Sequence, residues 1–188
     1  MGFYFLGSIL SLTLWLYLTF CHGKRKIYKN LNFWSNRVVF ENVKFNSKNK
    51  KVHEKICVII PARNEEKTIL KTLKSLKDQK INNLEIIVID DNSTDNTSNI
   101  INNFKKEFRK VSLLSGKKLP QGWVGKTWAL KQGVDFANHK NYDFYVFIDS
   151  DIVLTKNLLV KVNTFINSND FEMVSLMAKL NCKTIWEK

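Results

Sequence analysis

Two short apolar runs rich in Val and Ile constrain this chain most, because they frame a segment with helical periodicity. The first run covers residues 56–60 and the second covers residues 84–89. Such runs are typical of strands buried on both faces of a parallel sheet. The apolar residues between them recur at spacings of three and four, which predicts an amphipathic helix: Ile69, Leu70, Leu73 and Leu76. Strand, helix and strand form one right-handed unit, in which ligands bind at the carboxyl ends of the strands.

The remainder of the chain continues the alternation of strands and helices. Apolar spacing predicts helices at 100–108, 126–137 and 158–166, and strands at 111–114, 142–148 and 171–180. Residues 116–125 are predicted to form a loop, because they contain Pro120 and Gly122. The sequence therefore predicts an α/β fold with a mostly parallel sheet and flanking helices.

Residues 3–21 carry no charged side chain over 19 positions. At about 1.5 Å per residue, a helix of this length nearly spans the roughly 30 Å hydrocarbon core of a bilayer. We interpret it as a single-pass membrane anchor; a buried core helix is the alternative, but it would not need an uncharged circumference. By the positive-inside rule, the basic residues that follow place the N-terminus outside and the bulk of the chain in the cytoplasm: Lys24, Arg25, Lys26, Lys29 and Arg37.

Residues 22–55 are a basic juxtamembrane segment that mixes aromatic and charged side chains. This mixture fits a stretch that lies along the membrane surface, where aromatic rings and Lys are favoured. It fits a plain linker as well.

The 188 residues carry a formal net charge of +13. This balance suits nucleic acid, an anionic membrane or a phosphorylated substrate. A solvated surface rich in Lys explains the same balance, so we expect no nucleic-acid partner. Cys21, Cys57 and Cys182 are far apart and lack metal-ligand spacing, which favours buried thiols in a reducing compartment.

Polar and acidic side chains follow three of the predicted strands, at the point where each strand ends. They are Asn64-Glu65, Asp90-Asp91 and Asp149-x-Asp151. Two carboxylates this close repel each other unless a cation lies near them, and carboxylate oxygens suit Mg²⁺ or Mn²⁺. One acid-x-acid pair is usually a surface turn, whereas three clusters at one edge of one sheet indicate a site. We therefore predict that Asp149 and Asp151 bind a divalent cation that bridges to a substrate diphosphate.

A phosphate-bearing ligand at an acidic edge also needs positively charged groups. Gly125 permits close backbone approach, the helix that follows offers free N–H groups to an anion, and Lys126 adds a charge. Arg63 could face a phosphate or belong to an exposed loop. The stretch Gly125-Lys126-Thr127 is not a nucleotide-hydrolase phosphate loop, because Pro120 stands where that pattern requires Gly.

Four motifs carry a resemblance to a known family. They are Pro61-Ala62-Arg63-Asn64-Glu65-Glu66, Asp90-Asp91-x-Ser93-x-Asp95-x-Thr97, Asp149-x-Asp151 and Leu119-Pro120-x-Gly122-Trp123-x-Gly125-Lys126-x-Trp128-Ala129-x-x-x-Gly133. In this order and spacing, the first three resemble family 2 glycosyltransferases of the GT-A fold. The fourth resembles the hopene-associated glycosyltransferases and those of carotenoid synthesis. The resemblance covers about residues 3–188, the anchor included.

This resemblance implies transfer of a sugar, with inversion, from a nucleotide-diphosphate donor to a membrane lipid acceptor of the hopanoid or carotenoid type. It implies donor-binding roles for Pro61, Ala62, Arg63, Asn64, Glu65, Asp90, Asp91, Lys126 and Asp149. Pro61 and Glu65 would line the nucleoside pocket, and Asp91, backed by Asp90, would bind base or ribose. Asp149 and Asp151 would hold ribose and metal-diphosphate. Lys126 would approach the phosphates.

The sequence departs from this family pattern at its C-terminal side. Family members carry a later acidic residue as acceptor base, then a Gln/Arg-x-x-Arg-Trp-type segment and usually further membrane helices. We expect these features beyond Lys188, so no catalytic residue is assigned within the chain. Residues 56–188 are interpreted as the N-terminal, donor-binding part of a glycosyltransferase domain, with a separate C-terminal polypeptide as one way of completing it.

Two other functions fit parts of the sequence. A non-catalytic, membrane-bound fragment that binds nucleotide-sugar and acts only with a partner would explain the missing features. The stretch Ile148-Asp149-Ser150-Asp151-Ile152-Val153 also fits the opening motif of Asp-nucleophile phosphatases. That motif normally begins its domain and carries a Gly after the second Asp, which this chain lacks.

Overall fold

The two Val/Ile runs form neighbouring strands at the centre of a four-stranded parallel sheet. A computed structural model describes residues 53–79, 81–169 and 171–178. The strands are β1 (Ile56–Ala62), β2 (Leu84–Asp90), β3 (Val111–Ser115) and β4 (Phe144–Phe147). The helices are α1 (Ile69–Lys77), α2 (Thr97–Glu107), α3 (Gly125–Ala137) and α4 (Leu158–Asn169). The strand order is β3-β2-β1-β4, and every neighbouring pair is parallel. The predicted α/β fold is therefore confirmed for this part of the chain.

Side chains of the central strands alternate between two apolar layers, as the two-residue period of a strand requires. One layer joins Val58 and Ile60 to α1, α2 and α4, through residues such as Leu73, Phe104 and Leu159. The other joins Cys57 and Ile59 of β1, together with Ile87 and Ile89, to Ala129 and Ala137 of α3. Both faces of β1 are covered, which explains its unbroken apolar sequence.

The α3 face of β4 is less well covered than the rest of the sheet. Tyr145 is 37% exposed and Phe147 is 53% exposed. An open hollow of about 290 Å³ lies between Phe147 and α3, and its lining includes Trp123, Leu130 and Val134.

Two predicted strands differ from the observed ones. The strand predicted at 142–148 is shorter and covers Phe144–Phe147. Tyr142 lies before it and donates its hydroxyl to Glu85 Oε2 at 2.8 Å. The strand predicted at 171–180 is wrong for its described residues, since 171–178 have no strand assignment. Met173 and Met177 are 86% and 84% exposed. Apolar content alone predicted this strand, but a strand also needs a hydrogen-bonding neighbour.

Other sequence predictions fall outside the described residues. The anchor at 3–21 and most of the 22–55 segment belong to this group, as do Cys21 and Cys182. Within the ranges that the structure describes, no helix has the length and apolar character needed to cross a bilayer.

Cys57 is the free thiol whose placement the structure describes, and it is buried in β1. Burial, with a smaller contribution from Glu85, raises the pKa of Cys57 to about 12. The thiol therefore stays protonated at neutral pH and acts as a small apolar core residue, as the sequence predicted.

Gly133 allows α3 to lie directly on the sheet. A Cβ atom at this position would come within 2.5 Å of Ile59 Cγ2 and 2.7 Å of Ile89 Cδ1. Those distances are far below a normal carbon contact, so a larger residue would push the helix away from β1 and β2.

Replacing Gly133 with Ala should therefore destabilise the fold by about 1–3 kcal/mol, despite the better helix propensity of Ala. Urea unfolding of the variant would measure the change in unfolding free energy. Lys131→Ala, on the exposed face of the same helix, is the control and should change that free energy by only about 0.5 kcal/mol. Equal stability of Gly133→Ala and the unmodified chain would contradict the packing.

Candidate active site

Parallel pairing brings the carboxyl ends of the strands, and the loops after them, to one edge of the sheet. Ala62 of β1 is the register partner of Asp90 in β2. The N–H of Asp91 donates to Ala62 O at 2.8 Å, and that of Gly116 donates to Asp90 O at 2.8 Å. On the other side of β1, Ile59 pairs with Phe147, two residues before Asp149. The three clusters predicted to converge thus lie along the same edge.

The loop after β1 is cross-linked to the loop after β2 by side chains. The Asn64 N–H donates to Ser93 Oγ at 2.9 Å, and Asn64 Oδ1 accepts from the Thr94 N–H at 2.8 Å. Asn64 has a φ of 56°, a left-handed conformation that Asn tolerates better than most residues. The Glu65 N–H donates to Thr97 Oγ1 at 2.8 Å. Asn64 and Glu65 therefore fix the relative position of the two loops.

The carboxylate of Glu65 turns toward the start of α1, where it accepts a hydrogen bond from the hydroxyl of Thr68, the residue before that helix. Pro61 and Ala62 are the last two residues of β1, and they pair with Ile89 and Asp90 of β2. Ala62 is buried, whereas Arg63 is exposed. Of the predicted residues on this loop, Arg63 and Asn64 are thus the two that are exposed.

Asp90 holds the second loop together. Its Oδ1 accepts from the Ser93 N–H at 3.0 Å, and its Oδ2 accepts from the Ser98 hydroxyl. Both oxygens are thus engaged within the loop, and Asp90 supports the position of Asp91 from behind.

Asp95 joins the two loops and the start of α2, a role that the sequence analysis did not assign. Asp95 Oδ2 accepts from the Glu66 N–H at 3.1 Å, and Oδ1 accepts from the Thr97 N–H at 3.0 Å. Burial acts to raise the pKa of Asp95, but hydrogen bonds from Thr97 and Glu66 outweigh it and lower that pKa below its usual range. The spacing Asp95-x-Thr97 before a helix was the available signal.

Asp91 faces the start of α3. Its Oδ2 lies 3.9 Å from Arg63 Nη1. The same oxygen would lie 3.4 Å from a Cβ atom at Gly125, the first residue of α3. Asp91, Arg63 and the N-terminus of α3 are therefore neighbours, and this N-terminus has no side-chain cap. Free N–H groups in a first helical turn favour negatively charged groups.

Lys126, the second residue of α3, connects this group to the loop after β4. Its Nζ lies 2.7 Å from Asp149 Oδ1. Asp149 and Asp151 flank the buried Ser150, whose carbonyl accepts from Thr72 Oγ1 of α1 at 2.7 Å. This contact fixes the backbone between the two carboxylates, while both side chains stay exposed.

The loop after β3, residues 116–124, lies beside the site and is held by α3. Gln132 Oε1 accepts from the Lys117 N–H at 2.8 Å, and Trp128 Nε1 donates to Lys117 O at 3.2 Å. Gly122 has a φ of +82° in a turn closed by the Trp123 N–H and Pro120 O at 3.3 Å. The sequence analysis missed Gln132, although its four-residue spacing from Trp128 places both on one face of the helix.

Asp149 and Asp151 suit a divalent cation that keeps several water ligands better than one that is coordinated by protein side chains alone. Among the residues that the structure describes, no three His, Cys, Asp or Glu side chains are grouped to hold a metal ion. Two carboxylates supply oxygen ligands and leave further positions to water and phosphate oxygens, which is how Mg²⁺ is commonly bound. The donor set therefore suits a cation that enters together with a diphosphate.

A parallel α/β sheet with polar loops at its carboxyl edge is the architecture in which α/β proteins bind ligands outside the strand ends. Residues 57–186 match the family Glycosyl transferase family 2. The chain therefore belongs to glycosyl transferase family 2. This membership favours a transferase over the phosphatase that Asp149 and Asp151 also fit.

Two curated proteins illustrate the relatives. The chain is 39% identical to a 4,4'-diaponeurosporenoate glycosyltransferase of Staphylococcus haemolyticus, over 54% of this chain and 25% of the relative. It is 32% identical to a GalNAc(5)-diNAcBac-PP-undecaprenol beta-1,3-glucosyltransferase of Campylobacter jejuni, over 56% of this chain and 32% of the relative. The match thus spans about a quarter to a third of the length of these two proteins.

The fold is also similar to that of a solved mannosyltransferase from Pyrobaculum calidifontis, in complex with GDP-Man and Mn²⁺. The TM-score is 0.50 at 18% sequence identity, over 68% of this chain and 36% of the other. Together with the family membership, this likeness identifies the parallel sheet and its helices as GT-A-like.

The low pKa of Asp95 predicts an acid-sensitive contribution to stability. Because the folded-state pKa lies below the unfolded value of about 3.9, this contribution is present above that value and is lost as the pH falls through the folded-state pKa. Asp95→Asn should therefore be less stable than the unmodified chain at pH 7, with a difference that shrinks below about pH 4. Thermal unfolding between pH 7 and pH 3 tests this, and a difference independent of pH would contradict it.

Proposed function

We propose that this chain supplies the donor-binding part of a glycosyltransferase that uses a nucleotide-diphosphate sugar. One observation carries the proposal: Asp91, the start of α3 and Asp149 are linked along one sheet edge through Gly125 and Lys126. This arrangement puts carboxylates, free helix N–H groups and an ammonium group within one site. A ribose, a diphosphate and a cation require those three kinds of partner.

The cross-linked loops would bind the nucleoside. Pro61, Ala62, Arg63, Asn64 and Glu65 form one wall, and Asp91 offers the acceptor oxygens for a base or ribose hydroxyl. Asp90 would act by positioning Asp91, because its own oxygens are engaged by Ser93 and Ser98. A preorganised wall of this kind lowers the entropy cost of binding.

The diphosphate would lie between the start of α3 and the loop after β4. Asp149 and Asp151 would hold Mg²⁺ or Mn²⁺, and Asp149 would also contact the ribose. The cation would neutralise negative charge on the nucleoside diphosphate as it departs. Lys126 and the first N–H groups of α3 add positive charge on the same side.

The acceptor in this proposal is a membrane lipid of the isoprenoid type, such as a hopanoid or carotenoid. The motif that includes Gly122, Trp123, Gly125 and Lys126 supports it, since it resembles that of hopene-associated glycosyltransferases. The two curated relatives support it too, because they are named for diaponeurosporenoate and for an undecaprenol-linked acceptor.

The chain would be held at the membrane by residues 3–21, with the donor site in the cytoplasm. The uncharged stretch and the basic residues that follow support this placement. Anchoring would keep the site close to a lipid acceptor and would raise the effective concentration of that acceptor.

A second form of the proposal is a chain that binds donor but transfers sugar only with another polypeptide. The aligned region covers about a quarter to a third of the two curated relatives. In this form the acceptor base comes from outside residues 1–188. Sugar transfer by the purified chain alone would rule this form out.

Calorimetry with UDP and GDP, with and without Mn²⁺, tests donor binding. We expect metal-dependent binding of one nucleotide, and at least about a tenfold loss in Asp151→Asn, because a charge-assisted ligand is removed. Asp135→Asn is the matched control, since Asp135 is an exposed carboxylate on α3 that pairs with Lys131. Absence of nucleotide binding, or equal effects of both substitutions, would contradict the proposal. Release of phosphate from an aryl phosphate would favour the phosphatase alternative.

Membrane attachment is tested by expressing the full chain and a variant lacking residues 1–21. The full chain should stay with membranes after alkaline carbonate washing, because a spanning helix is not released by loss of electrostatic contacts. The shortened chain should be washed off. Release of both forms would contradict the anchor.

A further inference from the structure

We propose that Lys126 is a positioning residue that exchanges partners, from Asp149 to the diphosphate, when a cation binds. The inference rests on the proposed donor-binding function. It makes Lys126 the physical link between cation binding and nucleotide binding.

The geometry places the ammonium group on one of the two carboxylate oxygens that Asp149 offers to a cation. Lys126 Nζ lies 2.7 Å from Asp149 Oδ1, a distance typical of a charge-assisted hydrogen bond. A divalent cation binds a carboxylate oxygen at about 2.0–2.1 Å. Two positive groups at those distances from one oxygen would repel each other strongly. A cation that binds Asp149 Oδ1 therefore displaces Lys126 from that oxygen.

The ion pair is weak enough to be displaced. The Lys126 side chain is 57% exposed and that of Asp149 is 54% exposed. An exposed ion pair of this kind changes the equilibrium constant for folding or binding by only about 1.4- to 5-fold. A pair of this strength can yield to a cation of higher charge.

The released ammonium group has a second partner nearby. Lys126 lies in the first turn of α3, where free N–H groups attract an anion. A diphosphate bound to the cation at Asp149 would lie within reach of the same flexible side chain. Binding of the cation and of the nucleotide should therefore strengthen each other, by the same factor in either order.

Arg63, another cationic side chain at this edge, does not have the same relation to the cation site. Arg63 Nη1 lies 3.9 Å from Asp91 Oδ2, so it neutralises the carboxylate on the nucleoside side. The exchange is thus assigned to Lys126 alone among these two residues.

The test compares Lys126→Met with Lys131→Met in the full-length chain. Lys131 lies on the same helix and forms a similar exposed pair with Asp135 at 2.5 Å. Electron paramagnetic resonance of free Mn²⁺ measures cation affinity without nucleotide. Lys126→Met should bind Mn²⁺ about 1.4- to 5-fold more tightly, because the competing ammonium is gone. The same variant should bind the nucleoside diphosphate less tightly in the presence of Mn²⁺, whereas Lys131→Met should change neither affinity.

A second measurement follows the ammonium group directly. Acylation of lysines by an N-hydroxysuccinimide ester, read by mass spectrometry, should modify Lys126 faster when Mg²⁺ is added and more slowly again when nucleoside diphosphate follows. Lys131 should keep a constant rate through all three conditions.

The outcomes separate this inference from the proposed function. Equal effects of both substitutions on Mn²⁺ affinity would show a general charge effect and would overturn the exchange. Nucleotide binding that persists with an unchanged acylation rate of Lys126 would overturn the exchange and leave the donor site intact. No nucleotide binding by the unmodified chain would overturn both.

Discussion

The pairing of β1 on both of its edges is the constraint on which the rest of this structure depends. β1 bonds to β2 on one side and to β4 on the other, in parallel in both cases. Cys57 to Ile60 are fully buried, so the register cannot slip by one residue without moving core side chains to the wrong layer. Because three adjacent strands run in one direction, their following loops must share one edge. The site is thus a consequence of strand direction before any side chain is considered.

Buried polar side chains on α1 and just after it help to hold this site in place. Thr72, Ser75 and Gln79 are buried on or just after α1. They bond to the backbone of residues 150–159: the Thr72 hydroxyl to Ser150 O, Ser75 Oγ to the Leu154 N–H, and Gln79 Oε1 to the Leu159 N–H. Buried polar groups destabilise a fold unless they are satisfied. Here their partners are the loop that carries Asp149 and Asp151, so the same hydrogen bonds that satisfy α1 also fix that loop.

The sequence could predict the features that burial determines, but not the hydrogen-bond partners of polar side chains. Ile69, Leu73 and Leu76 predicted α1 from their spacing, and the Val/Ile runs predicted β1 and β2, because burial leaves a periodic pattern. The convergence of Asp91 and Asp149 also followed from parallel strands alone. The contacts of Thr72, Gln79 and Gln132 did not, since a polar side chain gives no sign of its partner in the sequence. The partner is 78 positions away for Thr72, 80 for Gln79 and 15 for Gln132. The false strand at 171–180 had the reverse cause: its apolar residues carried a signal, and pairing partners leave none in a single sequence.

The two sides of the site differ in how firmly they are held, and that difference has a chemical meaning. On the side proposed for the nucleoside, Asn64, Glu65 and Asp95 cross-link two loops, so Asp91 follows a strand end whose loops are held in place. On the side proposed for the diphosphate, the backbone at Ser150 is fixed while Asp149 and Lys126 remain exposed. A base and ribose are rigid and reward a preorganised wall. In the proposed reaction the diphosphate would gain negative charge as it departs, and the exposed pair of Lys126 and Asp149 would adjust to that change at lower cost than a buried pair.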